Sequence, residues 1–286
     1  MADYQEYRRR ILRKRWRRNF AVAGLLVLLI LLSAVGLLWK RLHREQSPAA
    51  VQGPTIFQQE LQSSEWTTSA GSTAMDFRLA ALDRTTAVDR SYFANVCFLG
   101  DSLTQGMQIY SSGLPEASFC AYRGANPSVV VNGTTCKRSD GGTEVPMEVL
   151  TARQPPVLYI LLGTNVLNRD GDYSSFLTYY RLMLDMISQA LPNTQIYVQS
   201  ITPVRPEVRN SHPGLYKERL CEINNELAAI ALEKNCAFLN LWEALADDNG
   251  DLKAEYAQPD GIHIKPEGYP AWVEYLATHT VGQQTA

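Results

Sequence analysis

At 286 residues, 45% of them apolar and 20% charged, the chain has the balance of a globular protein, with room for one α/β domain and additional segments. Its formal charge of −2 divides unevenly: residues 1–44 carry a net +9 and the remainder a net −11. A basic N-terminal region joined to an acidic body argues against nucleic acid as a partner, because that affinity comes largely from neutralising phosphates with Lys and Arg.

Residues 1–19 read as a cytoplasmic tail holding Arg8, Arg9, Arg10, Arg13, Lys14, Arg15, Arg17 and Arg18. Residues 20–39 contain no charge and carry LLVLLILL at their centre. As a helix they span a hydrocarbon core of roughly 30 Å. Only Lys40, Arg41 and Arg44 flank the other end. More positive charge remains in the cytoplasm, so the expectation is a single-pass anchor in the cell membrane with the bulk of the chain outside. A cleaved signal peptide is the rival reading. The apolar run exceeds the usual signal length, and no small-x-small site directly follows, although Ala49 and Ala50 come later. Residues 40–75, rich in Gln, Ser, Thr, Ala and Gly, read as a flexible tether, and 76–286 as the soluble domain.

Residues 76–90 are ambiguous and could form an entry helix. Beyond them, short apolar runs predict strands at 96–99, 118–122, 157–162, 195–201 and 237–241. Between them, Phe176, Tyr180, Met183, Ile187 and Ala190 recur at helical spacing over 173–191. Leu220, Ile223, Leu227 and Ile230 do the same over 215–234, and Pro266-Glu267 announces a last helix through Trp272 and Leu276. Alternating strands and helices imply βαβ units and a parallel sheet covered on both faces, with functional residues at the carboxyl ends of its strands.

Three such ends carry candidate chemistry. In FLGDSLTQGM, Ser102 follows a strand and opens a helix, whose N–H groups suit a developing oxyanion. In YILLGTNVLN, Asn165 offers a neutral side-chain donor at a second strand end. In PDGIHIKPEGY, Asp260 lies three residues before His263, close enough to fix the ring tautomer and stabilise an imidazolium. Each piece alone has an ordinary explanation: a helix cap, an Asx turn, a polar loop. Together, in this order at three element boundaries, they point to a serine nucleophile, a histidine base and an orienting carboxylate. The five cysteines (Cys97, Cys120, Cys136, Cys221, Cys236) and four histidines form no metal-ligand spacing, and no nucleotide-binding glycine motif is present, so neither a metal nor another cofactor is expected.

With GDS at 100–102, GTN at 163–165 and DGIH at 260–263, the chain resembles the SGNH or GDSL-type hydrolases over about residues 91–280. The resemblance implies a flavodoxin-like, three-layer αβα sandwich with a five-stranded parallel sheet, which would follow the transmembrane helix expected at 20–39. It implies a metal-free ester hydrolase with Ser102, Asp260 and His263 as catalytic residues. The oxyanion hole it implies comprises the N–H of Ser102, a glycine N–H and the side chain of Asn165. Gly124, where the second strand should end, is the favoured glycine, with Gly133 in VVVNGTT as the alternative. Val166 departs from the Asp that many members carry at that position. The expected substrate is an acylated cell-surface or cell-wall carbohydrate. The alternatives are a lipase or lysophospholipase, an acyltransferase using the same triad, and a catalytically weak surface-anchored binding protein.

Overall fold

The computed structural model describes residues 76–282 apart from 111, 112 and 115. The expected tail, membrane anchor and tether lie outside them. Among the described residues, no helix is long and apolar enough to cross a membrane.

The entry segment holds one short helix, α1 (Phe77–Ala80), capped by the Asp76 carboxylate. Extended chain follows, bonding to the ends of other elements: Leu82 N–H donates to Phe238 O, and Val88 N–H to Ala277 O. A 3₁₀ turn at Arg90–Asn95, capped by Asp89, leads into the sheet.

Five strands form that sheet: β1 (Val96–Gly100), β2 (Ser118–Ala121), β5 (Val157–Leu161), β6 (Gln195–Gln199) and β7 (Ala237–Leu239). Their order is β2-β1-β5-β6-β7, and every pair is parallel. Successive connections run one way from β1 to β2 and the other way from β5 onward, so the topological switch point lies between β1 and β5. Ligands in such sheets bind outside the carboxyl ends of the strands at that point.

Alternation along the strands divides the core in two. Cys97, Leu99, Leu158, Ile160, Ile196 and Val198 face a layer built from α5 (Ser174–Ala190) and α6 (Lys217–Glu233). Phe98, Tyr159, Leu161, Tyr197 and Leu239 face α2 (Ser102–Ile109) and α8 (Tyr269–Thr278), where Leu103, Met107, Trp272, Val273 and Leu276 are buried. The expected three-layer sandwich is therefore the observed one. On the second face an aromatic row crosses four strands in register: Phe119, Phe98, Tyr159 and Tyr197, with ring centroids 5.2, 5.3 and 4.5 Å apart.

Between β2 and β5 the chain makes elements absent from the sequence reading. Helix α3 (Pro127–Val131) begins with Asn126 capping Ser128 N–H. A small antiparallel hairpin of β3 (Cys136–Lys137) and β4 (Thr143–Glu144) follows, then α4 (Pro146–Arg153). The Tyr122 hydroxyl donates to Glu144 at 2.8 Å, tying the hairpin to the end of β2. A further short helix, α7 (Trp242–Leu245), follows β7.

All five cysteines are free thiols. Cys97 and Cys120 bring their sulfurs within 3.8 Å, but Cys120 is paired with Leu99 rather than with Cys97. Two residues of offset across adjacent strands separate their Cα atoms by about 8 Å, beyond the reach of a disulfide.

Candidate active site

The position of Ser102 follows from two close approaches of the chain. Asp101 caps α2, its Oδ1 accepting the Leu103 N–H at 3.0 Å, so Ser102 occupies the first helical position, directly beyond β1. A side chain at Gly100 would place its Cβ 1.9 Å from Thr104 Oγ1 and 3.0 Å from the Leu161 carbonyl; only glycine lets the first turn of α2 fold back onto the strand. At Gly106 a Cβ would fall 1.9 Å from the Tyr269 hydroxyl. That hydroxyl donates to Leu103 O at 3.0 Å, so α8 holds the first turn of α2 in place.

The loop before α8 carries the other two groups. Gln258 N–H bonds His263 O at 2.8 Å and Gly261 N–H bonds Gln258 O at 2.9 Å, closing the loop on itself. Gly261 adopts φ +72°, and a Cβ there would meet Val208 at 2.7 Å and Arg205 at 2.9 Å. The loop is thereby seated on the segment that follows β6, where Arg205 N–H donates to Gly261 O at 2.9 Å.

Within that loop Asp260 Oδ1 accepts the N–H groups of both Ile262 and His263 at 2.9 Å, and Oδ2 lies 2.6 Å from His263 Nδ1. Partial burial pushes the Asp260 carboxyl up, but the N–H groups of His263 and Ile262 and the His263 ring together outweigh it and hold it below the usual carboxylate range. An ionised Asp260 accepts the proton of Nδ1, which leaves Nε2 free to accept. His263 Nε2 lies 2.9 Å from Ser102 Oγ. Ser102, His263 and Asp260 thus stand in file, the His263 and Asp260 side chains 44% and 47% exposed.

Asn165 lies beyond β5, on the other side of the switch point from Ser102. Its loop turns at Gly163, where a Cβ would fall 2.4 Å from Ile201 and 3.1 Å from Phe176. Asn165 Nδ2 donates to Asp101 Oδ2 at 3.0 Å and to the Ala125 carbonyl at 3.1 Å. Both hydrogens of the amide are thus engaged at rest, which the sequence reading did not anticipate.

The two candidate glycines separate clearly. Gly124 is exposed three residues beyond the end of β2, with φ +76°, and its neighbour Ala125 touches Asn165. Gly133 lies past α3, where its N–H is taken by Val130 O at 3.3 Å. The structure brings Ser102, His263, Asp260, Asn165 and the Gly124 loop to one place, and leaves Gly133 a helix away. Among the described residues, no three His, Cys, Asp or Glu side chains gather as a metal ion requires.

Two further residues shape this edge. Arg219, on α6 and only 5% exposed, donates to the carbonyls of Leu167 at 3.0 Å, Gly214 at 2.7 Å and Gly171 at 3.3 Å. It therefore clamps the loop that carries Asn165. Asp101, besides capping α2, also reaches Asn165. Its acidic neighbour position in GDS was visible; its second partner, 64 residues away, was not.

A serine, an imidazole and a carboxylate in file at the mouth of a doubly wound sheet define a class, the serine hydrolases of three-layer α/β fold. Residues 98–271, more than half of the chain, match the GDSL-like Lipase/Acylhydrolase family, and the chain belongs to that family of ester-hydrolysing enzymes. No curated protein matches it. Similar solved structures include a GDSL-like lipase from Bacteroides thetaiotaomicron VPI-5482 (15% identity, 64% of this chain and 84% of that one, TM-score 0.47). A carbohydrate esterase family 3 protein from Talaromyces cellulolyticus is also similar (16% identity, 64% of this chain and 93% of that one, TM-score 0.44).

Proposed function

We propose that Ser102 is the nucleophile, His263 its general base and Asp260 the carboxylate that orients the base. Ser102 Oγ attacks the ester carbonyl carbon while His263 Nε2 takes its proton. The N–H groups of Ser102 and Gly124 and the amide of Asn165 hold the oxyanion. The imidazolium then protonates the departing alkoxide, leaving an acyl-enzyme. His263 next takes a proton from water, the resulting hydroxide attacks the acyl carbon, and return of the proton to Ser102 Oγ releases the acid. The observation that carries this reading is the 2.9 Å approach of Ser102 Oγ and His263 Nε2, in file with Asp260.

The favoured substrate is a short acyl ester, such as O-acetyl, on cell-surface or cell-wall carbohydrate. Two features support it. The half-exposed His263 and Asp260 open the site to a bulky polymer. Among the described residues, the loop that carries Asn165 exposes one large apolar side chain, Val166, a small surface for a long acyl chain. The uncharged run at 20–39 supports a single-pass anchor with this domain outside the cell membrane.

The full chain should hydrolyse p-nitrophenyl acetate and take up a fluorophosphonate label, both lost in Ser102→Ala. Wild-type turnover in that variant would refute the assignment. Incubated with acetylated polysaccharide and with lysophospholipid, the chain should release acetate from the first faster than fatty acid from the second. The reverse result would move the substrate class to lipids.

A further inference from the structure

We propose that Asp101 is a positioning residue, whose carboxylate both caps the nucleophile's helix and holds the amide of Asn165 in line for the oxyanion. The inference rests on the roles given above to Ser102 and Asn165. One carboxylate oxygen takes the Leu103 N–H at 3.0 Å; the other takes Asn165 Nδ2 at 3.0 Å. A single planar group therefore fixes the amide relative to the helix that presents Ser102, bridging the switch point between β1 and β5.

Capping alone does not account for this residue. A cap needs one acceptor, and Ser, Thr or Asn supplies it as well as Asp does. Asp101 is instead a carboxyl only 1% exposed. Burial pushes it up to about 6, against the lowering effects of the Leu103 N–H and the nearby His263. Its titratable neighbours are His263, from the loop before α8, and the Tyr269 phenol of α8 itself.

The two acceptors on Asn165 are unequal. Bonds to an ionised acceptor are roughly twice as strong as bonds to a neutral one. Asp101 therefore keeps its hydrogen, whereas the Ala125 carbonyl, next to Gly124, is the partner that an arriving oxyanion replaces. The anchored hydrogen sets the amide plane, and the other then points toward the Gly124 loop.

The test uses the full chain and p-nitrophenyl acetate, measuring kcat and KM for wild type, Asp101→Ser, Asp101→Asn, Asn165→Ala and the Asp101→Ser/Asn165→Ala double variant. Serine still caps the helix but is too short to reach Asn165. Asparagine has one acceptor oxygen for two donors, and serves as the second variant if serine fails to fold. A misplacement of about 1 Å costs about 10²-fold in rate, so kcat should fall by about that factor in Asp101→Ser, with KM changed less than about twofold. The double variant should be no slower than Asn165→Ala, because the two changes remove one function. A wild-type kcat in both Asp101 variants, a loss appearing in KM alone, or losses that multiply in the double variant would each overturn the proposal. Ser102→Ala is measured alongside: activity surviving there removes the underlying reading, whereas activity lost there with normal Asp101 variants removes this inference alone.

Discussion

Ser102 Oγ and His263 Nε2 meet at 2.9 Å across 161 residues of chain, and Tyr269 links the elements that carry them by donating to Leu103 O. The same α8 that follows the histidine loop thus fixes the turn that presents the serine. What the contact can do chemically depends on which ring nitrogen holds the proton, and Asp260 decides that.

Asp260→Asn should therefore be worse than Asp260→Ala. Oδ1 of Asp260 is occupied by the N–H groups of Ile262 and His263, so the amide oxygen of an asparagine takes that place and its NH₂ faces Nδ1. The ring is then driven to carry its proton on Nε2, where it cannot accept one from Ser102. A loss of kcat of about 10⁴ is expected, as for a wrong-tautomer triad. Alanine leaves the tautomer free and should retain more activity. Steady-state kinetics of the two variants check this, and equal or reversed rates would contradict the tautomer argument.

Gly124→Ala and Gly133→Ala should share a stability cost and differ in activity. Both glycines have positive φ, +76° and +60°, and a Cβ meets no atom within 4 Å at either. The left-handed backbone makes alanine cost about 1–2 kcal/mol at each. Only Gly124 adjoins the Asn165 contact at Ala125. Its variant should lose tenfold or more in kcat, on the order expected when an oxyanion donor is displaced. The Gly133 variant should stay within about twofold. Thermal melts paired with kcat distinguish the two, and an active Gly124→Ala beside an impaired Gly133→Ala would exchange their roles.

The five strands of the sheet were legible because strands buried on both faces read as short apolar runs, as VCFLG and VLYIL do. The helices at Ser174–Ala190 and Lys217–Glu233 repeat their apolar positions over several turns, and their ends fall within two residues of expectation. The segment between β2 and β5 was opaque for a physical reason. A five-residue helix and strands of two residues are too short to establish a period. Asn126-Pro127 and Val145-Pro146 were the signals available there, each placing Pro at the start of a helix. Ser102, Asn165 and His263 were readable because each stands at an element boundary. Arg219 was not: in sequence it is an ordinary polar position of an amphipathic helix, and two of its acceptors, Leu167 and Gly171, lie 52 and 48 residues away in the chain.

Arg219→Met should lower both stability and turnover. Leu167 and Gly214 would lose a charged donor at buried carbonyls and Gly171 one at a part-buried carbonyl, and hydrogen bonds to charged groups contribute about 1.5–3 kcal/mol each. The shared guanidinium makes these bonds non-additive, so a net loss of about 2–4 kcal/mol is expected. Gly214 packs so closely on this loop that a Cβ would fall 2.2 Å from the carbonyls of Leu167 and Arg169; the loop has no slack to absorb the change. Because Leu167 lies two residues from Asn165, kcat should fall with stability. Urea melts and kinetics below the transition test both, and unchanged kcat in a destabilised variant would limit Arg219 to the fold.

Asp101 should also leave a signature in stability. Its folded-state carboxyl, at about 6, lies above the ordinary 3.8, so the folded chain binds that proton more tightly than the unfolded one. Stability contributed through this proton is full below about 4 and is lost as pH rises to about 6. Asp260 and Asp247 are held low instead, so their contributions disappear only on acidification below the ordinary carboxylate range. The windows therefore do not overlap. Asp101→Asn has no proton to lose between pH 4 and 7, and the stability of wild type relative to this variant should fall by about 2–3 kcal/mol across that interval. Urea denaturation of both proteins at matched ionic strength measures the difference. A difference that stays level from pH 4 to 7 would mean that Asp101 titrates alike in the folded and unfolded chains, and that its burial carries no electrostatic cost.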